Sequence, residues 1–232
     1  MITVSETDGD VIRERYGITS VSSVPTGVDT QYFAPAGREA PRPHEIVFTG
    51  SMDWMPNEDG IVWFCQDVLP LIRGDVPDAT LAIVGRNPTG RIRALASHYP
   101  GVEVTGTVPD IRPFLERAGV LIVPLRVGSG TRLKIYEGMA MARPTVSTSV
   151  GAEGLPLEHE VELLLADDAK TFAESVVRIL RDPALGTALG DRAAMRVRRD
   201  FSWANVADQF AAVCEMAVAR QRQSGPVVGS MT

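Results

Sequence analysis

The sequence predicts an α/β fold built on a doubly wound, Rossmann-like parallel sheet. Short apolar segments alternate with longer segments of helical periodicity from residue 45 onward, as in successive β-α-β units. The short segments are apolar throughout, as expected for strands that helices cover on both faces. Such sheets bind ligands at the carboxyl ends of their strands, near the point where the strand order switches.

The alternation gives the expected order of the elements. Strands are expected at 45–50, 79–85, 102–106, 119–125, 144–148 and 162–167. Helices are expected at 57–73, 89–99, 110–118, 168–182, 186–199 and 203–222, and one more after the small residues at 128–130. Asn57 and Asp110 stand at the starts of two of these helices, where their side chains are candidates to cap the first turn.

The first forty residues follow a different pattern. Residues 2–6 predict a single strand without a partner, residues 8–18 a short helix, and residues 21–37 a lead-in rich in proline and glycine. We interpret 1–40 as the remnant of a preceding domain with its lead-in. The remaining divisions are a Rossmann-like domain at 41–200, a C-terminal helix at 201–222 and a disordered tail at 223–232.

Composition narrows the class of function. The 232-residue chain has a net charge of -6, which argues against a nucleic-acid-binding surface. It contains no apolar stretch of about 18 residues and no secretion signal, so the expected location is the cytoplasm. Cys65 and Cys214 show neither metal-ligand spacing nor a disulfide framework.

Four loops are expected together at the carboxyl edge of the sheet. Gly50 and Ser51 follow the first strand of the domain, Arg86 follows the second, and Val108 lies in the loop after the third. The fourth loop holds the sequence GSGTRLK at 128–134, directly before a helix. These loops therefore carry the candidate binding residues.

The segment around this last helix start is suited to a phosphate. Glycines within 128–130, with Ser129 between them, let the backbone approach a ligand, and the N–H groups of 131–133 would form an anion site. Arg132 and Lys134 add positive charge suited to phosphate. Glu137 lies three residues after Lys134 on the same helix face, where it could accept hydrogen bonds from ribose hydroxyls. Phosphate and ribose together indicate a nucleotide.

This spacing alone leaves a second interpretation open. Gly128 to Gly130 could form only a turn, and Lys134 with Glu137 could be a surface ion pair worth less than about 1 kcal/mol. A dinucleotide site is less well supported, because GSGTRL is not the GxGxxG pattern and no acidic residue ends the next strand. Trp54 is expected to pack against the first helix, and Glu153 either approaches the ligand or caps its loop.

In combination, the motifs resemble the C-terminal half of a GT-B fold retaining glycosyltransferase of the family 4 (group 1) type. The resemblance covers nearly the whole chain and follows the family's order. Its motifs are VPTGVDTQYFAP, IVFTGSMDWMPN, LAIVGRNP, VEVTGTVPDIRPFLERAGVLIVPL, GSGTRLKIYEGMAMARPTVSTSVGAEGL and FSWANVADQF.

The resemblance implies that 41–200 is a donor-binding domain for a nucleoside diphosphate sugar, with neither a metal nor another cofactor. Backbone around Val108 would flank the base, and Glu137 would hold the ribose. The backbone of Gly130, Thr131, Arg132 and Leu133 would hold the diphosphate. The side chains of Arg132 and Lys134 would stabilise it as the leaving group.

The sequence also departs from the family pattern. The first acid of the family's paired motif is replaced by Ser129, eight residues before Glu137. The Arg and Lys that usually follow the first strand are replaced by Ser51 and Pro56. We expect Arg86, Arg132 and Lys134 to supply the positive charge instead.

The resemblance further implies a partner. The family's acceptor-binding domain is absent except for residues 2–6, so the catalytic set is incomplete in this chain. That domain would act in cis or in trans, with peripheral membrane association through it. The expected activity is retaining transfer of a hexosyl group. The alternatives are a non-catalytic nucleotide-sugar-binding module and a fragment of a GT-B nucleotide-sugar epimerase.

Overall fold

The computed structural model describes residues 1–37, 39–128 and 130–223. Ser129 and nearly all of the tail predicted at 223–232 lie outside these residues. No helix within the described ranges is long and apolar enough to cross a bilayer.

The N-terminal segment forms a small β-α-β unit. Strands β1 (Ile2–Thr3) and β2 (Ser22–Ser23) are parallel neighbours, and helix α1 (Glu6–Tyr16) connects them. The expectation of a first strand without a partner is therefore wrong. The partner lies in the segment interpreted as lead-in, because a connection that contains a helix is long enough to place two parallel strands side by side.

A six-stranded parallel sheet forms the centre of the chain. Its strands are β3 (Arg42–Thr49), β4 (Thr80–Val84), β5 (Val102–Gly106), β6 (Ala118–Val123), β7 (Thr145–Ser147) and β8 (Leu164–Leu165). They lie in the order β5-β4-β3-β6-β7-β8, so the chain builds outward from β3, returns to β6 and builds outward on the other side. This order confirms the doubly wound, Rossmann-like α/β prediction and puts the switch point between β3 and β6.

Helices follow the strands in the predicted order. They are α2 (Met55–Trp63), a π-helical turn (Phe64–Val68), α3 (Leu69–Asp75), α4 (Gly90–His98), α5 (Arg112–Arg117), α6 (Leu133–Ala140), α7 (Ala169–Arg181), α8 (Pro183–Asp200) and α9 (Trp203–Gln223).

One predicted helix cap is wrong, and the other residue binds the first turn from one position further out. Helix α2 begins two residues before Asn57, with Trp54 at the N-cap position and Pro56 in the first turn, where the fixed φ of proline favours helix initiation. Helix α5 has Ile111 at its N-cap position, and Asp110, one residue earlier, accepts a hydrogen bond from the backbone N–H of Arg112 in the first turn at 2.9 Å. Asn57 is thereby left for a different role in the cleft.

Helix α7 and the π-helical turn enclose one face of the sheet through aromatic contacts. Phe172 makes edge-on contacts with Trp63 and Phe64, with ring centroids 5.8 and 5.9 Å apart. Ile46, Ile83 and Ile122 from three neighbouring strands are fully buried in the same cluster. This packing holds the strand ends in register where the cleft forms.

Candidate functional site

A cleft of about 340 Å³ opens at the carboxyl ends of the strands, beside the switch point. The predicted residues Gly50, Ser51, Arg86, Val108, Lys134 and Glu137 all line it. Thr49, Val84, Gly85, Thr107 and Ile111 complete the lining. The fold thus brings the ends of β3, β4 and β5 together with helix α6 at one concave surface.

Another cavity, of about 290 Å³, lies at the opposite edge of the sheet. Two of its arginines make hydrogen bonds near the amino ends of the strands. Arg117 donates to the Glu45 carboxylate at 2.8 Å, and Arg143 donates to the carbonyls of Met141 and Glu116 at 3.0 and 3.1 Å. These contacts indicate a structural role, so the carboxyl-edge cleft is the candidate site.

Two glycines set the shape of the cleft wall. Gly85 has a φ of 153°, and a Cβ atom there would lie 1.7 Å from the carbonyl oxygen of Gly50. A Cβ on Gly50 would in turn lie 2.8 Å from the Lys134 Nζ atom. Only glycine at these positions lets the ends of β3 and β4 meet and lets the lysine reach them.

Lys134 extends from α6 to the end of β3. Its Nζ atom donates to the Asn57 Oδ1 atom at 2.9 Å and lies 4.1 Å from the centre of the Phe48 ring. Burial lowers the pKa of Lys134 from 10.5 to about 7, although the nearby Glu137 charge opposes this change. The surrounding protein groups therefore stabilise the Lys134 cation poorly.

Asn57 is a site residue that the sequence analysis missed. It is only 3% exposed, and its amide nitrogen donates to the Ser51 carbonyl at 2.7 Å while its oxygen accepts from Lys134. The sequence held one signal, an Asn directly after Pro56, and that signal favours a helix cap equally well. Only the tertiary structure shows which group Asn57 contacts.

Glu137 lies one helical turn after Lys134. Among the described residues it makes no hydrogen bond and no ion pair within 4.0 Å. Burial raises the pKa of the Glu137 carboxyl, and the positive charge of Lys134 partly offsets this effect. A half-buried carboxylate with open acceptor positions at the wall of a cleft is suited to a ligand that carries hydroxyl groups.

Arg132 does not line the cleft. Helix α6 begins at Leu133, so the N–H groups of its first turn start two residues later than predicted. Arg132 is 5% exposed, its Nη1 atom donates to the Gly130 carbonyl at 2.9 Å, and its guanidinium lies 5.0 Å from the centre of the Trp54 ring. Arg132 therefore holds the backbone at Gly130 and does not face the cleft.

Other predicted residues lie beside the main cleft. Gly130 and Thr131 line a smaller cleft of about 90 Å³ together with Glu153 and the start of α1. Leu133 is exposed at the first position of α6. Trp54 is 39% exposed at the mouth, where it packs on Arg132. The structure thus separates Lys134 and Glu137 from the residues just before them.

The loop after β3 is held by a polar network. Ser51 Oγ donates to Asp53 at 2.5 Å, Arg86 Nε donates to Ser51 Oγ at 3.1 Å, and Asn87 donates to Asp53 at 2.9 Å. The hydrogen bonds from Ser51 and Asn87 lower the pKa of Asp53. The network fixes the Ser51 hydroxyl and the Arg86 guanidinium at the rim of the cleft.

The position of Lys134 leads to a prediction on stability. Between pH 7 and pH 9 the unfolded chain binds more protons at this residue than the folded chain, so folding stability rises with pH. We expect the unfolding free energy of wild type to rise by about 2 kcal/mol over this range relative to Lys134→Met. Urea unfolding at both pH values measures this difference.

Lys170→Met is the matched control for this experiment. The Lys170 side chain is 80% exposed on α7, so removing it should not change the pH dependence. A difference between wild type and Lys134→Met that stays constant from pH 7 to pH 9 would contradict the buried position of the Lys134 ammonium.

Comparison with known proteins places the chain in a family. Residues 43–182 match the family model described as glycosyl transferases group 1. The chain belongs to this family. The matched range contains the whole cleft, so this group 1 glycosyltransferase chain carries its candidate site within the family region.

Relatives cover the chain almost completely, whereas the chain covers only part of them. The MMP α-(1→4)-mannosyltransferase of Mycolicibacterium hassiacum is 28% identical over 95% of this chain and 54% of its own length. HepE of Anabaena, solved in complex with UDP-glucose, is 14% identical with a TM-score of 0.73 over 94% of this chain and 63% of HepE. This group 1 chain thus spans about half the length of the curated relative.

One solved structure is matched along its full length. The C-terminal domain of LpcC, a glycosyl transferase group 1 family protein from Francisella tularensis, has a TM-score of 0.64 and 16% identity. The match covers 76% of this chain and 100% of that domain. At this identity the likeness shows a shared fold.

Proposed function

We propose that this chain is the donor-binding half of a retaining glycosyltransferase. It transfers a hexosyl group from a nucleoside diphosphate sugar to an acceptor and is active only with an N-terminal, acceptor-binding half. The observation that carries the proposal is the open Glu137 carboxylate beside the Lys134 ammonium at the carboxyl-edge cleft. A cation and a free carboxylate one helical turn apart match the phosphate and the ribose of one nucleotide.

In this proposal, each part of the donor is assigned to residues that line or border the cleft. Val108 and Ile111 offer an apolar wall for the base, and Glu137 accepts hydrogen bonds from the ribose hydroxyls. Lys134 and the first N–H groups of α6 hold the diphosphate. Arg86 and Ser51 at the rim contact its outer oxygens or the sugar. Arg132 contributes indirectly, by holding the glycine-rich segment in place.

The same groups assist the chemical step. When the bond between the anomeric carbon and the diphosphate oxygen breaks, negative charge develops on that oxygen. Lys134 and the amino end of α6 stabilise this charge electrostatically. No metal ion is needed for that stabilisation. The oxygen of the acceptor hydroxyl, held by the N-terminal half, then bonds to the anomeric carbon with retention, its proton passes to the departing diphosphate, and the nucleoside diphosphate is released.

Three findings support the division into halves. The chain covers 54% of the mannosyltransferase. A match over 76% of the chain covers the complete C-terminal domain of LpcC. Finally, β1, α1 and β2 form a two-stranded parallel unit, and the start of α1 lines the smaller cleft with Gly130 and Thr131. Because parallel sheets normally belong to larger buried sheets, this unit is suited to the edge of an N-terminal domain.

Calorimetric titration of the chain with UDP, GDP and ADP tests the proposal. We expect saturable binding of one of the three below about 1 mM, a binding free energy of about -4 kcal/mol or stronger. The titration is run with EDTA and again with Mg²⁺, and similar affinities are expected. If none of the three nucleotides binds up to about 10 mM with or without the metal, the donor-binding proposal is wrong.

A further inference from the structure

We propose that Asn57 is a positioning residue that holds Lys134 away from Glu137. It leaves the ammonium and the carboxylate free for two different parts of one ligand. This proposal concerns the relative positions of Asn57, Lys134 and Glu137 at the cleft. Only the identity of the ligand rests on the proposed function.

The first argument is the geometry of Asn57 itself. The side chain is buried, and both of its polar ends are used. Its nitrogen donates to the Ser51 carbonyl at 2.7 Å, which fixes the orientation of the amide, and its oxygen accepts from the Lys134 Nζ atom at 2.9 Å. The amide therefore acts as a fixed acceptor aimed at the lysine.

The second argument is the ion pair that does not form. Residues three apart on a helix are neighbours, and a lysine and a glutamate in this relation commonly pair. Lys134 and Glu137 occupy this relation on α6, yet within the described ranges no ion pair joins them. The Nζ atom instead lies against Asn57 and the Phe48 ring, at the end of β3. An acceptor on another element has drawn the cation away from its helix neighbour.

Separation has a chemical consequence. A closed ion pair would satisfy both groups, so a ligand would have to break it before binding either one. With Asn57 in place, the carboxylate keeps its acceptor positions and the ammonium keeps donors for an anion. Asn57 contacts the lysine and not the ligand, so its effect on binding passes through Lys134.

Lysine NMR tests the proposal without any nucleotide. The chain contains only two lysines, Lys134 and Lys170, so labelled lysine gives two side-chain signals. The pKa of Lys134 is measured in wild type, Glu137→Gln, Asn57→Leu and the double variant. The comparison gives the factor by which Glu137→Gln weakens proton binding by Lys134, once in the wild-type background and once in the Asn57→Leu background.

We expect Glu137→Gln to weaken proton binding by Lys134 at least tenfold more in the Asn57→Leu background than in wild type. Without the amide, the ammonium would move to Glu137 and depend on its charge. An equal effect of Glu137→Gln in both backgrounds would overturn the proposal. The signal of the exposed Lys170 side chain is the internal control, urea unfolding checks that each variant folds, and Asn57→Ala provides the same comparison if Asn57→Leu does not unfold cooperatively.

Nucleotide titrations of the same four proteins separate this proposal from the proposed function. A changed coupling between Lys134 and Glu137 with no nucleotide binding in any protein would support the role of Asn57 and contradict donor binding. Nucleotide binding with an unchanged coupling between Lys134 and Glu137 would support donor binding and contradict the role of Asn57.

Discussion

Replacing Glu137 with alanine is expected to weaken binding of the preferred nucleotide about tenfold or more. The loss of hydrogen bonds between a carboxylate and ribose hydroxyls is worth about 1.5–3 kcal/mol. The substitution should not unfold the chain, because burial raises the pKa of the Glu137 carboxyl and the folded cleft gains little from its charge. Calorimetry at pH 7.5 on both proteins measures the change in affinity.

Glu153→Ala is the matched control for Glu137→Ala. It removes the same charge from the neighbouring small cleft, beside Gly130 and Thr131. We expect less than about a threefold change in affinity from this variant, because a screened charge outside the site contributes little. Equal losses in the two variants would show that Glu137 acts only through net charge.

Deoxynucleotides locate the contact more closely. If Glu137 binds the ribose, the 2′-deoxy or 3′-deoxy analogue binds wild type more weakly than the parent nucleotide. The same analogue and the parent should bind Glu137→Ala alike, because the partner of the missing hydroxyl is already gone. Additive losses would place Glu137 elsewhere on the ligand.

Gly85→Ala is expected to destabilise the fold by about 3 kcal/mol or more. The new Cβ would lie 1.7 Å from the Gly50 carbonyl oxygen, and neither atom can rotate away, because the backbone fixes the position of Cβ and the oxygen is itself a backbone atom. The ends of β3 and β4 would have to separate. Because these ends form the wall of the cleft, nucleotide binding should be lost with the stability. Urea unfolding and calorimetry measure both effects.

Gly74→Ala is the control for this change. Gly74 lies in helix α3, and a Cβ atom there would meet nothing within 4 Å. Alanine should stabilise the chain by up to about 1 kcal/mol, because glycine is a poor helix former. If Gly85→Ala proved as stable as Gly74→Ala, the close approach of β3 and β4 would be wrong.

The strands of the central sheet were predictable from the sequence because both of their faces are buried. A buried strand is a continuous apolar run, and 79–85 and 119–125 both fall on observed strands, whereas the edge strand β5 has an exposed Glu103 and only Val102 buried. In the small N-terminal unit, β1 and α1 fall on predicted elements, and only β2 was missed, for the opposite reason. Strand β2 consists of two serines, which carry no apolar signal and pair only because α1 returns the chain beside β1.

Site residues whose position depends on local backbone and charge could be predicted from the sequence. Site residues whose role depends on tertiary contacts could not. Gly50, Lys134 and Glu137 could be placed at the cleft because strand ends and helix starts converge there. The roles of Asn57 and Arg132 depend on which neighbour each side chain meets, and that is not a local property. Asn57 accepts a hydrogen bond from Lys134, and Arg132 donates one to the Gly130 carbonyl.

The lowered pKa of Lys134 couples the cleft to solvent protons. Burial lowers the pKa of Lys134 to about 7, so near neutral pH this side chain holds its proton less firmly than an exposed lysine does. An arriving polyanion favours the charged form, so binding and proton uptake become linked reactions. Before a polyanion binds, Lys134 therefore attracts small anions in solution less strongly. It becomes fully charged only when the polyanion lies beside it.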